Sequence, residues 1–230
     1  MFDPTVFVVD DDPAMRASLR WLIESVGLSV VACSDAREFL DTYQSEQPGC
    51  LLLDVRMPGM SGLDLQAELS SRRIVLPIVI ITGYAEVPIA VRAMKAGAVD
   101  FIEKPFSDNE LLQRIRKAIA LDGETRRIEF ERKSVASRLN QLTARQRDVL
   151  ERVILGQSNK MIAAELKVST KTVEAHRAHV MEKMRAASVA ELIRLFLFAT
   201  SSAYEPGTEG ALIVDCRNVT KNPPPETPRR

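Results

Sequence analysis

The chain has 230 residues, 46% of them hydrophobic and 27% charged, with 31 basic and 31 acidic side chains and no net charge. That length suits two small domains or one large one. Cys33, Cys50 and Cys216 show no paired spacing, which argues against a disulfide framework or a zinc site. No apolar run approaches the roughly 20 residues of a membrane span, and the acidic N-terminus has no signal-peptide pattern. A cytoplasmic protein without a membrane partner is expected.

The first half alternates strand and helix. Strands are predicted at 5–9, 29–33, 50–54, 77–82 and 99–102, and helices at 13–26, 35–46, 61–71, 87–97 and 107–121. Asp35-x-x-Glu38 and Ser107-x-x-Glu110 have the form of capping boxes at two helix starts. Five strands with intervening helices imply a doubly wound α/β layer. Residues 122–140 are charged and lack proline, which predicts a helical linker. Leu121, Ile128, Val135 and Leu142 recur every seven residues, but the second stripe of a coiled coil is missing, so a solvated linker is favoured over a pairing seam.

From Thr143 the pattern is helical throughout. Thr143-x-x-Gln146 is another capping box, and Val149, Leu150, Val153 and Ile154 follow at helical spacing. Gly156 ends that helix. A second runs from Asn159 to Leu166, Lys167-Val168-Ser169 turns, a third runs from Thr170 to Met184, and a fourth from about Ser188 to Phe198. Beyond Thr200, prolines and a shortage of large apolar groups predict a disordered tail over 200–230. Charge divides along the same lines. Residues 1–121 hold 12 Lys/Arg against 17 Asp/Glu, whereas 141–198 hold 10 against 6, as a domain tolerant of a polyanion would.

Four apolar runs of the first half end in polar groups: Asp10-Asp11-Asp12, Asp54, Thr82 and Glu103-Lys104-Pro105. In a parallel sheet buried on both faces, strands read as unbroken apolar runs whose carboxyl ends line one crevice. Asp10, Asp11, Asp54, Thr82 and Lys104 should therefore gather at one edge. Clustered carboxylates repel, and a hard divalent cation relieves the repulsion. A hydroxyl and an ammonium beside a metal-bound carboxylate suit phosphoryl oxygens. The crevice reads as a place where Asp54 accepts phosphate.

Residues 4 to about 121 resemble the receiver domain of bacterial two-component response regulators. The resemblance rests on Asp10-Asp11, on Asp54 with Met57-Pro58-Gly59-Met60-Ser61-Gly62, on Thr82-Gly83, on Ala96-Gly97-Ala98 and on Lys104-Pro105-Phe106. Residues 141–198 resemble the LuxR-type helix-turn-helix through the string Gly156 to Ala163, then Thr172-Val173-Glu174-Ala175-His176, with Leu142-Thr143 and Lys183-Met184. Together they are similar to regulators of the FixJ or NarL type. The resemblance implies strand order 2-1-3-4-5 and a receiver domain at 1–121, followed by an all-α DNA-binding domain at 141–199. It also implies a Mg²⁺ site in which Asp11 and Asp54 bind directly, Asp10 holds a coordinated water and the Arg56 carbonyl completes the protein ligands.

On the same footing Thr82 and Lys104 contact phosphoryl oxygens, Lys104-Pro105 is a cis peptide, and Tyr84 and Arg56 flank the pocket. Phe101 turns inward as Thr82 moves, which biases a surface formed by the fourth helix and fifth strand. Dimerisation is expected there through Val91, Lys95 and Glu103, with Ala90, Ala93 and Gly97 packed on the sheet.

In the third helix of the second domain, Val173, Val180 and Met184 should face the core. That leaves Lys171, Glu174, Ala175 and Ala178 for base edges, and Lys160, Thr172, Arg177 and Lys183 for phosphates. The implied partners are a sensor histidine kinase, double-stranded promoter DNA, a second copy of the chain on phosphorylation, and RNA polymerase. An aspartyl phosphohydrolase is the competing reading. It wants a second Asp two residues after the nucleophile as general acid, and Arg56 stands there, so no enzyme is expected.

Overall fold

A computed structural model describes residues 3–44, 46–83 and 87–201. Five parallel strands, β1 (Thr5–Val9), β2 (Ser29–Cys33), β3 (Gly49–Asp54), β4 (Ile78–Thr82) and β5 (Asp100–Glu103), form one sheet in the order β2-β1-β3-β4-β5. The expected order is the one found. β1, β3 and β4 are inner strands buried along their whole length, which is why they read as unbroken apolar runs. The pleat divides their side chains between two cores. Phe7, Leu51, Leu53 and Ile80 meet Phe39 and Leu65 on one face, while Val6, Val8, Leu52 and Ile81 meet Leu19, Ile23, Leu111 and Ile115 on the other. Each such side chain contributes on the order of 1.5–3 kcal/mol through burial.

Five helices belong to this layer: α1 (Pro13–Ser25), α2 (Ala36–Thr42), α3 (Gly62–Ser71), α4 (Val87–Lys95) and α5 (Asp108–Asn140). α2 stops four residues short of its predicted end. Tyr43 leaves the helix in an extended conformation, and its ring stacks on Phe39 at 5.3 Å and meets the edge of Phe7 at 5.2 Å. α4 stops at Lys95 because Gly97, at φ +95°, turns the chain in a conformation other residues avoid. Gly97 is therefore not part of the packed helical face expected for it. Ala93 is fully buried, and the side chain of Ala90 lies outside the described residues.

The fifth helix departs most from expectation. It runs unbroken through 33 residues, so no helix end falls at 121. Leu111, Ile115 and Ala118 pack in the sheet core. Four residues on, Asp122 is 1% exposed and accepts from the Gly49 amide at 2.9 Å and from Arg126 at 2.7 Å. Arg126 also donates to the carbonyls of Glu46 and Gln47. Val135 and Leu139 then join the core of the second domain, and Arg138 donates to the Met184 carbonyl at 2.7 Å. The stretch read as a solvated linker is anchored at both ends. Its local pattern is polar because each core takes only one or two of its residues.

Four helices complete the described chain: α6 (Ala144–Ile154), α7 (Asn159–Leu166), α8 (Thr170–Met184) and α9 (Val189–Thr200). Thr143 and Gln146 form the predicted capping box, and Ser158, Ser169 and Ser188 cap the next three helices. The turn between α7 and α8 has Lys167 in the left-handed region at φ +53°. Val149, Leu150, Ile162, Val173, Val180 and Met184 fill the core of this bundle. Most of the predicted tail lies outside the described residues.

Candidate phosphoacceptor crevice and nucleic-acid interface

Asp54 is the last residue of β3, and Asp10 directly follows β1. Both are buried, at 7% and 1% exposure. Lys104, which follows β5 and precedes a cis peptide to Pro105, lies between them. Its ammonium donates to Asp54 Oδ1 at 2.6 Å and to Asp10 Oδ2 at 3.0 Å. Asp54 Oδ2 accepts from the Arg56 amide at 2.7 Å, and Asp10 Oδ1 from the Asp12 amide at 2.9 Å. Gly62 lies behind the crevice, where a Cβ would come within 2.3 Å of the Asp54 carbonyl oxygen, so only glycine lets α3 start this close.

Burial pushes the Asp54 carboxyl above its ordinary range, with Lys104 pulling the other way. Burial would lower Lys104, but its hydrogen bonds to Asp54 and Asp10 prevail and raise it. One ammonium is thus set against two acidic side chains. Asp11 faces solvent beside them. Among the described residues no three His, Cys, Asp or Glu side chains converge as a finished metal cage. Two buried acidic side chains, with a third at the solvent edge, nevertheless suit a hard cation. Mg²⁺ in particular takes few carboxylates and retains waters.

Strand register places the remaining receiver residues. Phe101 pairs with Ile80 and Glu103 with Thr82, so Phe101, Thr82 and Glu103 point to one face of the sheet. Thr82 is 2% exposed, whereas the Phe101 ring is 40% exposed on the edge strand. The phenyl group is thus a diagonal neighbour of the hydroxyl. Val91 is 47% exposed on α4, and Lys95 and Glu103 are also exposed. Tyr84 lies outside the described residues.

α8 follows its predicted faces. Val173, Val180 and Met184 are at most 1% exposed, and Lys171, Glu174, Ala175 and Ala178 are exposed. Lys160 is exposed at the start of α7. Thr172 shares a cap with Ser169, donating its amide at 3.0 Å with the two hydroxyls 2.7 Å apart. Arg177 donates to Asn159 Oδ1 at 2.8 Å, which ties α8 to the start of α7. Lys183 stands apart from this group. Its ammonium donates to the Gln141 carbonyl and to Gln146 Oε1, bracing the end of α8 against the start of α6.

Some supporting groups escaped the sequence reading. Asp12 caps α1 by accepting from the Ala14 amide, and Arg16 donates to the Asp10 carbonyl at 2.7 Å. The Asp12-Pro13 pair is a legible helix-start signal that would have assigned the cap. Asp122 had no comparable signal, because one acid in a charged stretch looks like any other.

The family model of the response regulator receiver domain matches residues 6–116, and that of the bacterial regulatory proteins of the luxR family matches residues 140–196. Transcriptional regulatory protein FixJ of Azorhizobium caulinodans is 46% identical over 194 residues, covering 84% of this chain and 92% of its own. Nodulation protein W of Bradyrhizobium diazoefficiens is 48% identical over 190 residues, covering 83% and 84%. The solved response regulator StyR is 43% identical with a TM-score of 0.77, over 84% of this chain and 98% of that one. Among the described residues no helix is long and apolar enough to cross a membrane. With an Asp-Asp-Lys crevice at one sheet edge and an exposed helix after a tight turn, the chain belongs to the response regulators that join a receiver to a LuxR-family DNA-binding domain, and is a phosphorylation-dependent transcriptional regulator of FixJ type.

Proposed function

We propose that Asp54 takes a phosphoryl group from the phosphohistidine of a sensor kinase, and that the product pairs with a second copy to bind promoter DNA. The observation that carries this reading is the Lys104 ammonium held on Asp54 Oδ1 at 2.6 Å while also reaching Asp10. An oxygen of Asp54 attacks phosphorus as the P–N bond breaks, and the departing imidazole takes up a proton. Lys104 then follows the new phosphoryl oxygens as a point charge, and the Thr82 hydroxyl donates to another. Asp10, Asp11, Asp54 and the Arg56 carbonyl would hold Mg²⁺, which neutralises charge on the carboxylates and the transferring group.

As Thr82 turns toward phosphate, the space it leaves on its face of the sheet accepts the Phe101 ring. This reshapes the surface bearing Val91, Lys95 and Glu103. On the DNA side, Lys171, Glu174, Ala175 and Ala178 are the base-reading positions of α8, with Lys160, Thr172 and Arg177 on phosphates. The Lys183 contacts favour a bracing role over a phosphate contact. RNA polymerase would be engaged by the DNA-bound dimer.

The test is intact-mass measurement after treatment with acetyl phosphate, with and without Mg²⁺. One phosphoryl group should appear on the wild type when Mg²⁺ is present, and none on Asp54→Asn. Equal labelling of the variant would remove Asp54 from this role.

A further inference from the structure

Arg16, in the first turns of α1, is half-buried, and its guanidinium donates to the Asp10 carbonyl at 2.7 Å. That carbonyl belongs to the peptide unit joining Asp10 to Asp11, so Arg16 holds the plane from which both acidic side chains project. The loop around it is loosely tied. The Asp10 amide reaches the Cys33 carbonyl only at 3.4 Å, and the Asp12 amide bonds a side-chain oxygen, Asp10 Oδ1, at 2.9 Å. Among the described residues no other group bonds the Asp10–Asp11 peptide unit.

Neither helix stability nor charge pairing accounts for a cation at this place. A positive side chain near a helix N-terminus opposes the macrodipole, and α1 has no acid in its first turn to offset it. The ion pairs of Asp10 and Asp54 are both made with Lys104, not with Arg16. What the guanidinium does have is the Asp10 carbonyl, and a bond from an ionised donor is shorter and stronger than one between neutral groups.

We propose that Arg16 is a positioning residue for the cation site of the crevice, fixing the Asp10–Asp11 peptide unit so that the two side chains keep the arrangement Mg²⁺ requires. The inference rests on the phosphoacceptor reading above. Mg²⁺ tolerates little departure from octahedral geometry, so a loop free to turn about this unit binds it less well. Groups that orient metal ligands from behind typically account for about ten- to a hundredfold in affinity. A tether and a bare charge act here with opposite sign. Taking a positive charge away from a cation site reduces repulsion and tightens binding, whereas taking a tether away loosens it.

The test is calorimetric titration of Mg²⁺ into the full-length unphosphorylated protein. Arg16→Met should bind Mg²⁺ about tenfold more weakly than wild type. Arg16→Lys keeps the charge with a shorter reach and a single point donor, and should fall between the two. It also carries the test should Arg16→Met fail to fold, since weaker binding then arises with the charge unchanged. A second readout is labelling by acetyl phosphate at increasing Mg²⁺. The half-saturating Mg²⁺ concentration of Arg16→Met should rise in proportion, while the rate at saturation stays near that of wild type. Wild-type or tighter Mg²⁺ binding in Arg16→Met, or in Arg16→Lys if that alone folds, overturns the proposal. A lower saturating rate with an unchanged half-saturating concentration overturns it as well, by placing Arg16 in the transfer step. An absence of Mg²⁺ binding by the wild type would instead overturn the phosphoacceptor reading, and the inference with it.

Discussion

The acidic crevice and the exposed face of α8 use charge in opposite ways. In the crevice Asp10 and Asp54 are buried and Lys104 is fixed between them, so electrostatics act at short range in a poorly solvated space. On α8, Lys171 and Glu174 stand in water, their side chains exposed. Charge there is screened until a polyanion displaces the solvent and its counterions. One region is built to change a covalent bond and the other to be read in a groove. Substitutions should therefore act on folding and chemistry in the first, and on affinity and its salt dependence in the second.

The largest expected effect follows from Lys104→Ala. Two buried carboxylates would be left facing each other, and breaking one side of a buried pair costs about 3–5 kcal/mol. Urea denaturation without metal should show that loss, and added Mg²⁺ should recover much of it by binding the native state. A midpoint equal to wild type would mean that the ion pair does not support the crevice. On α8, Arg177→Ala should weaken binding to every DNA sequence by about tenfold, while Glu174→Ala should leave non-specific affinity intact and change which site is preferred. Fluorescence anisotropy on a selected site and on a scrambled one separates the two. If both variants behave alike, the division into backbone and base contacts is wrong.

Smaller effects test the coupling between regions. Val91→Asp should suppress phosphorylation-dependent dimerisation in sedimentation experiments, since the surrounding rim pairs contribute only about 1 kcal/mol or less each. A dimer that forms as readily as wild type would place the interface elsewhere. Asp54→Asn should have the mildest consequence, a gain in metal-free stability. The folded-state carboxyl is raised by burial, so its favourable contribution exists below the ordinary carboxylate range and is lost as pH climbs through the raised value. Neutral Asn avoids that loss. The variant should have the higher urea midpoint at pH 7, and the difference should close as pH is lowered through the carboxylate range.

Strand placement and the crevice residues were legible because each depends on a local pattern, whereas the sheet order was implied only by the family resemblance. An apolar run ending in Asp, Thr or Lys specifies both a buried strand and what stands at its carboxyl edge. The buried face of α8 was legible for the same reason, since Val173, Val180 and Met184 repeat at helical spacing. What escaped was long-range. Asp122 reaches Gly49 across 73 positions, and Lys183 reaches Gln146 across 37. No periodicity records that a charged side chain will turn inward to meet a distant backbone amide. α4 was overextended because the glycine that ends it sits inside an otherwise continuous helical pattern.

The unbroken fifth helix has a mechanical consequence. From Asp122, where it is pinned to the start of β3, to its end at Asn140, the helix extends about 27 Å at its usual rise per residue. A rod of that length tilted by about 10° at its pinned end displaces the far end by about 5 Å, close to one helical turn. β3 has Asp54 at one end and Gly49, the residue Asp122 holds, at the other. The end of β3 remote from Asp54 is thus joined, through a single carboxylate, to the helix that carries Val135 and Leu139 into the second core.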